Sequence, residues 1–147
     1  MSTDFPTVNA AQQAYGGGEM DAFVAKIGDR TCATDVTGQV AILRSPWFPF
    51  VIPALQVQFV FVYNKSNAPI TGPLVFVEDN LQNAVALNFG PSTGCFNAAN
   101  SPMVFLDAGP DNMLAPNEAI FTGLLFYQPL PLPITFTPHV VSGIPTQ

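Results

Sequence analysis

The sequence predicts an all-β protein, an antiparallel sandwich of about seven short strands, and three observations predict it. Charged residues make up only 10% of the chain, against a usual quarter, so long solvated helical faces are scarce. Proline (15), glycine (11) and phenylalanine (13) are frequent, a mixture that favours short apolar runs punctuated by turns. From residue 34 onward such runs recur at short intervals with turn-forming residues between them.

The first run, residues 36–44, alternates loosely and ends at Ser45-Pro46. The clearest strand is 55–63, in which Leu55, Val57, Phe59, Phe61 and Tyr63 share one face at period two. That face is expected to be core. The opposite face starts polar at Gln56 and Gln58 and turns apolar at Val60 and Val62, so its far end is expected to be covered by a neighbour or to be sticky. Residues 64–69 (Asn-Lys-Ser-Asn-Ala-Pro) read as a turn, because Asn and Ser side chains bond nearby backbone and Pro fixes φ. Residues 70–78 supply the next strand, interrupted at Gly72-Pro73; Pro73 donates no ladder bond and is expected at an edge or bulge. Residues 84–88, 102–106, 119–128 and 134–142 complete the set, and Pro129-Leu130-Pro131-Leu132-Pro133 reads as a stiff link between the last two. Seven strands over about 110 residues fit an immunoglobulin-like sandwich, with a jelly roll or small barrel as the alternative.

Residues 1–30 differ in character, being Gly- and Ala-rich with one strand-like run at 22–27, which alone has too few partners to be stable. The expected division is an N-terminal segment, 1–30, and a sandwich domain, 31–147. The opening residues Met1 to Pro6 have neither a positive nor an apolar export region. The chain is therefore expected either to stay inside the cell or to be part of a longer exported protein.

Composition removes several partners. The basic residues are Lys26, Arg30, Arg44 and Lys65 against a net charge of −6, so the attraction that dominates nucleic-acid binding is missing and an anionic membrane surface repels the chain. Pro46, Pro49 and Pro53 break the richest apolar region, 46–63, and no membrane insertion is expected. Cys32 and Cys95 lie 63 positions apart, outside any CxxC or Cys/His cluster, and lack a zinc ligand set. They read as a candidate disulfide, since Cys32 begins the sandwich and Cys95 sits in a Gly-rich loop, or as two independent buried thiols.

Two resemblances add to this reading. Ser2-Thr3-Asp4-Phe5-Pro6-Thr7, then Tyr15-Gly16-Gly17-Gly18, then Asp21-Ala22-Phe23-Val24-Ala25-Lys26 resemble, in order and spacing, the bacterial β-propeller repeat called the SBBP repeat, over residues 2–28. One blade cannot bury its faces without neighbours, so the match implies the end of a terminal repeat. Asp35-Val36-Thr37 with Gln39-Val40, Tyr63-Asn64-Lys65-Ser66 before Ile70-Thr71-Gly72-Pro73-Leu74, and Leu114-Ala115-Pro116-Asn117-Glu118 resemble the immunoglobulin-like module of secreted bacterial repeat proteins. Together they imply an extracellular or cell-surface protein of structural, spacer or adhesive duty. Its partners would be other domains of the same polypeptide or copies of itself.

No catalytic motif surrounds any residue, and no cofactor is expected. His139, the single histidine, lies in the last strand without a nucleophile motif nearby in sequence and reads as structural or exposed. The pairs Glu78-Asp79 and Asp107 with Asp111, like Glu19 and Asp21, read as solvated turn acids rather than a calcium loop, which needs six to eight oxygens. Gly16-Gly17-Gly18 has no P-loop lysine after it and reads as a turn. Trp47, Phe48 and Phe50, set among prolines, read either as an aromatic surface for glycans or as a loop plugging one end of the sandwich. Two further readings stay open beside the structural one: a fibre subunit that donates a strand from residues 1–30, and a carbohydrate-binding module built on Trp47.

Overall fold

A computed structural model describes residues 32–93, 95 and 101–144. The expectations placed on the first 30 residues, including the propeller-repeat resemblance, the glycine triplet, Glu19 and Asp21, lie outside the described residues. The chain forms β1 (Thr34–Asp35), a 3-10 turn (Thr37–Gln39), β2 (Val40–Arg44), β3 (Phe48–Phe50), β4 (Ile52–Asn64), β5 (Ile70–Thr71) and β6 (Leu74–Gln82). It continues through β7 (Val85–Ala86), β8 (Gly90–Thr93), β9 (Ser101–Leu106), β10 (Met113–Leu114), β11 (Ala119–Tyr127) and β12 (Thr135–Ser142). One sheet has the order β1-β12-β6-β9-β8, the other β2-β4-β11-β7 with β3 also on β4, and β10 and β5 make a small pair. The pairings are antiparallel.

The fold is therefore all-β, with two antiparallel sheets sharing one core as the layers of a β-sandwich do. Val60, Val62, Ile120, Leu124 and Phe126 of the second sheet pack in one cluster with Leu74, Phe76, Leu106 and Val140 of the first. Each of the seven expected strands overlaps a strand of the structure, which has twelve among the described residues rather than seven, and the first is shortened. Thr37 donates its N–H to Asp35 Oδ1 (2.8 Å), and Gln39 its N–H to Val36 O (2.8 Å), closing a turn where a strand was expected and delaying β2 to Val40. Pro73 falls in the break between β5 and β6, after a cis Gly72–Pro73 bond. A methyl on Gly72 would overlap Asn112, whose carbonyl accepts the Gly72 N–H at 2.7 Å, so glycine is required where these strands meet. The short β1, β3, β8 and β10 were not anticipated; β1, β3 and β8 are each paired to a longer strand, and β10 to the equally short β5.

The expected core face of β4 is corrected. Phe59 and Phe61 are 38% and 45% exposed, while Val60 and Val62 are fully buried. Alternation decides which residues share a face; which face turns inward depends on the opposing layer. Opposite β4, Val62 pairs with Ile120 and Gln58 with Leu124, and this set closes on the first sheet. Phe59 and Phe61 go outward with Phe121.

Asn64, at the end of β4, explains how the turn 64–69 is held. Its side chain is buried; Nδ2 donates to Ala68 O (2.9 Å) and Leu114 O (2.8 Å), while Oδ1 accepts from Ser66 N (2.9 Å) and Ser66 Oγ (2.7 Å). Asn64→Ala leaves several of these groups unpaired in the interior and is expected to cost roughly 3 kcal/mol. Urea unfolding checks this, and a loss below about 1 kcal/mol would show that the network relaxes freely.

Candidate functional site

The outer face of the second sheet is the most distinctive surface of the described residues. In β4 the outward positions are Leu55, Val57, Phe59, Phe61 and Tyr63; in β11 they are Phe121, Gly123, Leu125 and Tyr127. β2 adds Leu43 opposite Phe61, β3 adds Phe48 opposite Val57, and β7 adds Val85 opposite Tyr127. No charged side chain occupies any of these positions. The rings form a continuous row: Phe48 lies 6.2 Å from Phe59, Phe59 is stacked on Phe121 at 5.5 Å, and Phe121 meets Phe61 at 4.9 Å between centroids. Gly123 pairs with Phe59 across the two strands, and the Phe59 ring lies beside it in van der Waals reach.

The contrast with the first sheet is sharp. There the outward-facing Val75, Val77, Met103 and Val141 are buried and form a second cluster against Ala33. Cys32, bonded to Cys95 with Cα atoms 5.4 Å apart, anchors the chain beside that cluster. The disulfide alternative is thus the one realised, and both thiols are consumed by it. It is compatible with an oxidising compartment.

Trp47, Phe48 and Phe50 do not share one surface. Trp47 points inward, edge-on to Phe126 (5.2 Å) and Phe136 (6.5 Å). Phe48 joins the aromatic row. Phe50 is exposed at the tip of the β3–β4 hairpin beside Val51, whose φ of 63° is a left-handed conformation that costs a β-branched residue about 1–2 kcal/mol. Trp47 instead borders a cleft of about 450 Å³ with Arg44, Ser45, Gln58, Ile134, Thr135 and Phe136. Gln58 is 5% exposed; its Nε2 donates to Ser45 O (3.0 Å), while Oε1 meets no protein donor. The Arg44 guanidinium lies 5.0 Å above the Phe136 ring, a cation–π arrangement.

The acids divide differently from expectation. Asp107 accepts from Gly109 N (3.0 Å) and Asp111 from Met113 N (3.3 Å), as exposed turn acids do. Glu78 and Asp79 are buried, a correction: β6 is covered on both faces from Leu74 to Asp79 and reaches water only beyond it. Asp79 accepts from Ser101 Oγ (3.0 Å). Glu78 has no hydrogen-bond partner for either oxygen, and burial raises its pKa to about 9 against the opposing pull of the Arg44 charge. His139 Nδ1 lies 3.6 Å from Asp35 Oδ2 across the β1–β12 pair. Among the described residues no three of His, Cys, Asp and Glu gather as a metal site, and no helix is long and apolar enough to cross a membrane.

Sequence reasoning missed the aromatic face because it assigned the same residues to the core. A usable signal was present, since β11 is apolar on both its parities, with Ile120, Leu124 and Phe126 on one and Phe121, Leu125 and Tyr127 on the other. Compared with known proteins, the chain matches no protein-family model and no curated protein.

Proposed function

We propose that this protein is a non-catalytic structural or adhesion module of an exported bacterial polypeptide, an immunoglobulin-like unit that works by docking its aromatic sheet face onto an apolar protein surface. The carrying observation is the charge-free row Phe48–Phe59–Phe121–Phe61, open to solvent on a sheet whose other side is a packed core. An exposed apolar patch of this kind marks an interaction site rather than a neutral surface. The resemblances of residues 2–28 and 32–144 to secreted repeat proteins support the extracellular setting, as does the Cys32–Cys95 bond.

The test places the full chain at the C-terminus of an exported polypeptide and measures the cell-associated fraction. Phe61→Glu with Phe121→Glu should lower that fraction at least fivefold, on the order of what loss of a central aromatic anchor does. An unchanged fraction would refute docking through this face.

A further inference from the structure

We infer that the occupant of the aromatic face is a second copy of this chain, the two second sheets stacking face to face about a two-fold axis. The inference rests on the docking reading above and names its partner.

Size is the first argument. Leu43, Phe48, Phe59, Phe61, Phe121 and Tyr127 are 38–64% exposed. With side chains of about 200 Å² each, and the neighbouring outward residues of β4, β7 and β11 added, the face offers on the order of 800 Å². That is the share of one partner in a stable protein–protein interface, and it exceeds the few hundred Å² that a monomer ordinarily leaves exposed.

Chemistry is the second. A partner for this face has to be apolar, sheet-like and free of charge at the contact, since any buried unpaired charge would be costly. A second copy presents such a surface, and sheet faces stack at about 10 Å with their side chains interdigitating. A two-fold axis lying between the stacked sheets, over the Phe59–Phe121 pair, sets each ring row against its equivalent, the self-complementary contact of an isologous dimer. The net charge of −6 per chain opposes association only through charges outside the contact, where salt screens them.

Sedimentation velocity on the oxidised full chain, from about 1 to about 200 µM, tests the inference. The expected result is a reversible dimer that Phe121→Glu weakens by about 100-fold. Phe61→Glu should do the same. Phe105→Glu, at a position exposed on the first sheet, should leave the dimer unchanged. Circular dichroism verifies that each variant is folded. A monomer across the range, or a dimer indifferent to both substitutions on the aromatic row, overturns the inference. A monomer that still loses cell association with Phe61→Glu and Phe121→Glu would overturn the dimer alone and keep the docking role, with a different protein as occupant.

Discussion

Glu78→Gln is expected to stabilise the protein by roughly 4 kcal/mol at pH 8 and to change little at pH 4.5. Glu78 projects into the core with Leu74 and Phe76, is fully buried, and has no hydrogen-bond partner on either oxygen. Burial raises its pKa from 4.5 to about 9, with the Arg44 charge pulling the other way. A raised carboxyl pKa means that the folded state holds a proton the unfolded state has released. The stability contributed by this protonated state is fully present below pH 4.5 and is lost as pH rises toward 9, at about 1.4 kcal/mol per unit. Glutamine matches the neutral acid in shape and does not titrate, so it removes the slope. Urea unfolding of both proteins at several pH values between about 4.5 and 9 provides the comparison. Parallel pH profiles would mean that Glu78 reaches a partner or water when it ionises.

Loss of the Cys32–Cys95 bond is the other large effect. The bond closes a loop of 63 positions, and by the chain-entropy argument such a loop withholds about 4 kcal/mol of conformational freedom from the unfolded chain. A domain of this size has roughly 5–15 kcal/mol in all, so removing the bond leaves it marginal. Cys32→Ser with Cys95→Ser, or reduction of the native chain, should therefore shift the urea midpoint by an equal and large amount. An unchanged midpoint would place the tether outside the cooperative unit. The bond also joins Cys95 to Cys32, next to Ala33 and the Val75–Val77–Met103–Val141 cluster on the first sheet. Its loss is expected to be felt there first, at the β1–β12 pairing.

These effects come from groups the sequence treats as ordinary. Glu78 and Asp79 look like turn acids because they precede Asn80 and lie near a run of polar residues. In the fold they continue β6, which is covered by the core on one side and by the second cluster on the other. Trp47, Phe48 and Phe50 lie within four positions yet are divided in space: alternation sends Trp47 and Phe48 to opposite faces, and the register shift after Pro49 carries Phe50 to the hairpin tip. Trp47 follows Gln58 inward, and Phe48 follows Phe59 outward.

By itself the sequence determined the all-β class, the positions of the longer strands, the Asn64–Pro69 turn and the acids at Asp107 and Asp111. These depend on local alternation, turn chemistry and composition, which act over a few residues. Tertiary structure alone decided which face of β4 is core, because both parities of β11 and of the far half of β4 are apolar and only the packing of Leu74, Phe76 and Val140 against Val60 and Val62 selects between them. It likewise decided that Phe59, Phe61 and Phe121 meet in one row, since their alignment depends on a pairing register between strands about 60 residues apart.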